Sequence, residues 1–358
     1  MKTRYTEEYI HKLEYDRAMF KSGQEQPYEL KKKTAEQRVR QWIYDCGVYG
    51  KDYHVSVGGL DSITLLLFIR SLGFDPPAIS VSSLEDRSIQ EVHRKLGVIS
   101  LPPALISGTN KRWSKSLVLQ NLGFPVLSKE TASKIELLQN PSEKNKTVRH
   151  AIITGETGEY GGYRSGTRMR LAQKWLDRFG GYENKTEGTN YGTPDFKVSS
   201  KCCYYLKEKP CDDWAKEHNS VPFLGLMASE GGRREKSLIA NGCNYWGKTT
   251  ARSCPFAKFY RDDLLRLALE LNVPIPEIYG EIKEDENGKL YTTGAQRTGC
   301  SICGFGIQLE KRPHRFDKLY ERNPCEWRYW MYECCTDDDG NKYGWGKVLD
   351  YIGVEWRV

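Results

Sequence analysis

No run of about 18 consecutive apolar residues occurs in this chain of 358 residues, so the ordinary signature of a membrane-spanning helix is missing. An apolar signal-peptide core is missing as well. The opening Met1-Lys2-Thr3-Arg4-Tyr5-Thr6-Glu7-Glu8 is charged and polar, and the expected location is the cytoplasm. No internal repeat is present, which argues against a solenoid or a propeller. The cysteines do not make an even set: eleven is an odd number. Without an export signal it points to thiols or metal ligands rather than a disulfide framework, and it leaves the sequons at Asn145 and Asn184 idle. Nor is there a large excess of either charge. The net charge of +7 is a modest basic balance that suits nucleotide phosphates or a nucleic acid as partner.

The most informative stretch is Tyr53-His54-Val55-Ser56-Val57-Gly58-Gly59-Leu60-Asp61-Ser62, which runs into Ile63-Thr64-Leu65-Leu66-Leu67-Phe68-Ile69-Arg70. It reads as strand, turn and helix. Tyr53 to Val57 is short, apolar and β-branched, as a buried parallel strand should be. The glycine pair permits a sharp turn, and Asp61 and Ser62 stand where a helix N-cap and first turn are expected. Bare amides aimed along a helix N-terminus attract anions, so the segment is a candidate phosphate loop; an ordinary strand-to-helix turn is the other reading.

Along the chain, residues 6 to 45 read as two helices broken between Gly23 and Pro27. A second strand is expected at Ala78 to Ser82 and a helix from Ser88 to Gly97; Glu85 and Asp86 between them read as simple loop carboxylates, with the reading of a ribose or base as the other use. Residues 100 to 150 are basic and read as an insertion or lid with a solvated helical surface. A third strand is expected at Ala151 to Gly155, followed by a glycine-rich loop over 156–166 and a basic helix carrying Arg168, Arg170, Lys174 and Arg178. A further strand is read at Val221 to Met227 and a helix at Arg261 to Leu271, stopped by Val273-Pro274-Ile275-Pro276. Strands alternating with helices predict an α/β fold, a parallel sheet wrapped by helices with ligands at the carboxyl ends of its strands, joined to a cysteine-bearing second part. The segments are an N-terminal helical flank (1–45), a nucleotide-binding core with a basic insertion (46–180) and a cysteine and aromatic region (181–358). The boundary between lobes is placed in the aperiodic stretch 180–200.

Cys202 and Cys203 are adjacent, and Cys300-Ser301-Ile302-Cys303 supplies a second pair. Four thiolates can close a zinc site or hold a four-iron four-sulfur cluster; unrelated buried thiols are the alternative.

Two resemblances sharpen these readings. Gly58-Gly59-Leu60-Asp61-Ser62 resembles the Ser-Gly-Gly-x-Asp-Ser pyrophosphatase loop of the adenine-nucleotide α-hydrolase superfamily, with Val57 in place of the first Ser. Cys202-Cys203 with Lys207 and Pro210, followed by Arg297-Thr298-Gly299-Cys300-Ser301-Ile302-Cys303, resembles the phosphoadenosine phosphosulfate (PAPS) reductase family, and within it the cluster-binding members of phages and of DNA phosphorothioation. Gly225 to Arg234 matches that family's Gly-x-Arg-x-x-Glu-Ser-x-x-Arg block at Gly225, Glu230 and Arg234, but carries Met227 and Gly231 where the family has Arg and Ser.

The resemblance implies ATP and Mg2+ at Gly58, Gly59, Leu60, Asp61, Ser62, Lys207, Glu230 and Arg234, with Asp61 and Ser62 as catalytic residues. It also implies a four-iron four-sulfur cluster on Cys202, Cys203, Cys300 and Cys303. The implied activity is ATP-driven sulfur transfer: pyrophosphate release, AMP activation of an acceptor that could be a nucleic acid, and sulfur from a donor protein. A sulfonucleotide reductase is the second reading, although the family's C-terminal Glu-Cys-Gly-x-His motif is absent and only Cys325, Cys334 and Cys335 could take its part. A nucleotide- or nucleic-acid-binding protein without turnover is the third. The aromatic run from 320 to 358 is read as packing, with a base-stacking surface as the other use.

Overall fold

The structure, a computed structural model, describes residues 7–156, 169–183, 188–300 and 303–357. By its internal contacts the chain divides into two compact units. One comprises the described residues of Tyr5–Pro103 and Lys207–Cys300, and the other those of Ala104–Leu206 and Ser301–Val358. The units are therefore interleaved along the chain, whereas the segments read from the sequence were consecutive.

The first unit is built on a six-stranded sheet in the order Ile99–Ser100, Ala78–Ser80, Asp52–Ser56, Ser220–Leu224, Ala251–Ser253, Asn244–Trp246. All neighbours are parallel except the last pair, which is antiparallel. The fold is thus mixed α/β with a mostly parallel sheet flanked by helices, as the alternation of strands and helices predicted. The Asp52–Ser56 strand lies in the middle and is covered on both faces, with Tyr53 and Val55 on one and the buried His54, against the Trp214 ring, on the other. Val55 is fully buried, and the Phe223 ring of the adjacent strand packs edge-on to Tyr53 and to Trp42.

The two N-terminal helices, Glu7–Gln24 and Tyr28–Val48, meet the expectation of a break before Pro27. The helix after the glycine pair, Leu60–Ser71, is buried nearly all round, from Leu60 through Ile69, because its sequence has almost no polar face. The expected helices at 88–97 and 261–271 occur as Arg87–Lys95 and Arg261–Glu270, and the strand expected at 221–227 as Ser220–Leu224.

The second unit has helices at Lys115–Asn121, Lys129–Gln139, Lys146–Thr154, Gln173–Phe179, Arg315–Arg322 and Trp345–Ile352, and, among its described residues, only two-residue strands. Here one expectation fails: Ala151 to Gly155 is not a strand but the end of the Lys146–Thr154 helix, which stops at a left-handed Gly155. Ala151, Ile152 and Ile153 are all buried, so a short apolar run looked like a strand, and its length alone could not separate the two possibilities. The basic helix is shorter than expected. Gln173–Phe179 carries Lys174 and Arg178, Arg170 precedes it, and Arg168 and most of the 156–166 loop lie outside the described residues.

The centre of this unit is aromatic. Trp345 packs against Phe124 and Phe316 at ring-centre distances of 5.0 and 5.3 Å, and Tyr351 against Phe179 and Phe196 at 5.4 Å each. Trp327, Trp330 and Trp356 are buried too, so these tryptophans of the C-terminal run serve packing. No helix among the described residues is long and apolar enough to cross a membrane.

Candidate functional site

Moving out from the Asp52–Ser56 strand, the chain continues to Ala78–Ser80 on one side, while Ser220–Leu224 pairs on the other. The connections leaving the two central strands therefore diverge, and such a switch point in a parallel sheet opens a crevice at the carboxyl ends of the strands. The loop Val57-Gly58-Gly59 leaves the first of these strands, and Gly225 to Gly231 leaves the second.

At Gly59 in the loop and Gly225 beside it there is no room for a larger residue. A side chain at Gly59 would overlap the Tyr279 hydroxyl and approach Thr298 Oγ1 to 2.9 Å. At Gly225 it would come within 2.9 Å of the Asp61 carbonyl carbon and the Ser62 nitrogen. The Ser62 hydroxyl accepts from the Gly58 N–H (2.7 Å) and donates to the Gly59 carbonyl (3.0 Å), closing the turn on itself. The Leu60 N–H donates to the Tyr279 hydroxyl (3.0 Å), which in turn meets Thr298 (2.8 Å). From behind, His93 Nε2 lies 2.8 Å from the Gly58 carbonyl and Nδ1 lies 2.9 Å from the Ser82 hydroxyl. A carbonyl only accepts, so Nε2 carries the hydrogen and Nδ1 accepts from Ser82. Burial lowers the basicity of His93, which favours this neutral form.

Charge surrounds the loop in pairs. Asp61 pairs with Arg261, Lys207 donates to Glu85 at 2.6 Å, and the carboxylate of Glu230 is held between Arg234 and Arg297, the latter at 3.0 Å. Burial pushes the Asp61 carboxyl up, the cation of Arg261 opposes that push, Glu230 adds to it, and Arg297 opposes it in turn. Three carboxylates and four cations thus gather at this edge. Arg261 is the least satisfied of them. Its Nη1 meets Asp61, but Nε and Nη2 are shut off from solvent and find no acceptor among the described residues. Buried donors left without a partner cost about 1–3 kcal/mol each.

All eight residues expected to bind nucleotide belong to this unit. Gly58 to Ser62 form the turn and the first helical turn, with Gly59 rather than Asp61 as the N-cap. Glu230 and Arg234 pair with each other, and Lys207 reaches the loop after the second strand through Glu85. Of the three positions that depart from the family pattern, two share a fate: Val57 and Met227 are both buried in the aliphatic core. Arg261, Tyr279 and His93 were not singled out from the sequence. Arg261 opens a helix 200 residues away from Asp61, and no local pattern marks such a pairing.

The cysteines give a more divided picture. Cys46, Cys211, Cys243, Cys254, Cys325, Cys334 and Cys335 are free thiols. Cys202 is buried, while Cys203, Cys300 and Cys303 are half-buried. The pair Cys202-Cys203 leads directly into a stretch of π-helix, Tyr204–Glu208, a local form often found at functional positions. Thiols of this kind are suitable donors for zinc or an iron-sulfur cluster, yet no three His, Cys, Asp or Glu side chains among the described residues stand together as a metal site. Cys334 and Cys335 are buried with their sulfurs 3.9 Å apart. The contact with Cys335 and burial push the Cys334 thiol up, away from the thiolate that a nucleophile needs. Cys325 is exposed. Compared with family models, curated proteins and solved structures, the chain matches none.

Proposed function

We propose that the carboxyl edge of the two central strands binds the phosphates of an adenine nucleotide and that the chain cleaves ATP to AMP and pyrophosphate. The observation that carries this reading is the loop itself: a glycine turn with no room for a side chain at Gly59, braced by Ser62, Tyr279 and His93, at the switch point of a parallel sheet. The turn of Gly58, Gly59 and Leu60 holds the phosphates, its Gly58 and Leu60 amides exchanging the Ser62 and Tyr279 hydroxyls for phosphate oxygens, and Lys207, Arg234 and Arg297 supply positive charge beside it. An acceptor oxygen attacks the α-phosphorus, the bond to the bridging oxygen breaks, and pyrophosphate leaves, with the acceptor's proton passing to water. Asp61 is the carboxylate that would hold Mg2+, which when bound offsets the charge of the phosphates.

In the full reading the product is an adenylated acceptor, with nucleic acid the class that the basic balance suits, and a sulfide equivalent from a donor protein displaces AMP. Cys202, Cys203, Cys300 and Cys303 would hold a four-iron four-sulfur cluster, which supplies sulfur or electron chemistry when bound. Burial of Cys334 and Cys335 weighs against the sulfonucleotide reductase alternative. The ion pair between Asp61 and Arg261 favours a second reading, nucleotide binding without turnover, because it engages the carboxylate that a metal would need.

The test is incubation of the purified chain with ATP and Mg2+, with and without nucleic acid, following pyrophosphate release. Release that disappears in Asp61→Asn supports the enzyme, and binding without release supports the second reading. Failure to bind ATP at all refutes both. Anaerobic purification with iron, sulfide and zinc analysis decides the cluster separately: about four iron and four sulfide per chain are expected, and are lost in Cys300→Ala, Cys303→Ala.

A further inference from the structure

We infer that Arg261 is a specificity residue of this site, the group that grips the polyphosphate of the nucleotide; the inference rests on the phosphate-binding reading of the loop. The two donors of Arg261 without an acceptor are Nε and Nη2. These are the two that lie side by side on one edge of a guanidinium and together match two oxygens of one anion. The same edge is filled elsewhere in this protein. Arg312 offers Nε and Nη2 to the two oxygens of Asp317 at 3.2 and 2.9 Å, and Arg40 offers both to one oxygen of Glu36 at 3.0 and 2.9 Å.

In Arg261 the arrangement is reversed: Asp61 engages only Nη1, which anchors the guanidinium while the paired donors remain. Asp61 lies in the first turn of the helix that follows the glycine loop, so the anchoring sets Arg261 beside that helix N-terminus. Its charge also reaches the Tyr279 hydroxyl, which holds the Leu60 amide. Donors paired for two oxygens, next to a helix N-terminus, suit a phosphate group rather than a single-atom acceptor, and the phosphate reaches them once the groups that cover Nε and Nη2 give way. An uncharged nucleoside offers nothing that this edge requires. The site therefore discriminates by phosphate: ATP and free pyrophosphate use Arg261, and adenosine does not.

The experiment is calorimetric titration of the full chain with ATP, inorganic pyrophosphate and adenosine, in the wild type and in Arg261→Lys. Lysine keeps the charge facing Asp61 but has no paired edge. ATP and pyrophosphate are expected to bind the variant at least tenfold more weakly, with adenosine binding unchanged. Equal binding of ATP and pyrophosphate by wild type and variant overturns the role of Arg261 while leaving the nucleotide site intact. If the wild type binds neither, the reading of the loop fails and the role of Arg261 with it. Should Arg261→Lys not fold, Asp61→Asn with Arg261→Met carries the test, since two neutral groups leave no buried charge. Retained pyrophosphate affinity in that pair also overturns the inference.

Discussion

The sheet unit and the aromatic unit solve the same problem of burial differently. The first packs aliphatic side chains such as Val55, Ile63, Leu65 and Leu66 around parallel strands and gathers paired charges at the edge that carries the loop. Among its described residues the second has no strand longer than two residues and gathers Phe124, Phe179, Phe196, Phe316 and Trp345 between short helices. A parallel sheet hydrogen-bonds its backbone along a whole layer and so can leave loops free to form a site. Short helices lack that layer, and large rings supply the contact area instead.

The sharpest way to break this contrast is to remove the central ring of the aromatic unit. Trp345→Ala should cost about 4 kcal/mol in urea unfolding, the range for deleting a fully buried aromatic. A loss below about 1 kcal/mol would show that the rings do not hold this unit together. In the sheet unit the comparable sensitivity should sit in the loop. Gly59→Ala is expected to cost up to about 3 kcal/mol through overlap with the Tyr279 hydroxyl, and to weaken pyrophosphate binding. Adding Tyr279→Phe should restore part of the stability; no recovery would place the strain elsewhere.

Acid should reach the sheet unit through His54, fully buried against Ser220 and the Trp214 ring, whose pKa burial lowers to about 4. The unfolded chain takes up that proton near pH 6.5. The contribution is thus complete above 6.5 and is lost as pH falls toward 4, by about 2 kcal/mol at pH 5. His54→Gln should flatten the difference between melts at pH 7 and pH 5 by that amount, and an unchanged slope would remove His54 from the account.

Val57→Ser should cost about 1–2 kcal/mol without raising pyrophosphate release, because the side chain at this position faces the core and the hydroxyl would be buried. A gain in release would instead put residue 57 at the phosphates. Smallest of all, Lys209→Ala removes an exposed helical pair with Asp213 and should change stability by less than about 0.5 kcal/mol. A larger loss would mean that surface charge, and not only the paired charge at the loop, matters in this unit.

Much of the sheet unit was legible in the residues, because a β-branched run, a glycine pair and an apolar helix follow one another within Tyr53 to Arg70 and each signal is local. The aromatic unit was less legible. Ala151 to Thr154 has the composition of a strand, and only its packing as the end of a buried helix decided otherwise. The same division runs through the candidate site. The sequence by itself determined where the turn falls and that Asp61 and Ser62 open a helix, since backbone preferences act over a few residues. Tertiary structure decided that Val57 and Met227 face the core, that Glu230 lies between two arginines, and that Asp61 meets Arg261. Apart from the i,i+4 contact of Glu230 with Arg234, these depend on distant segments and on how sheet and helices close on one another, and no local pattern encodes them.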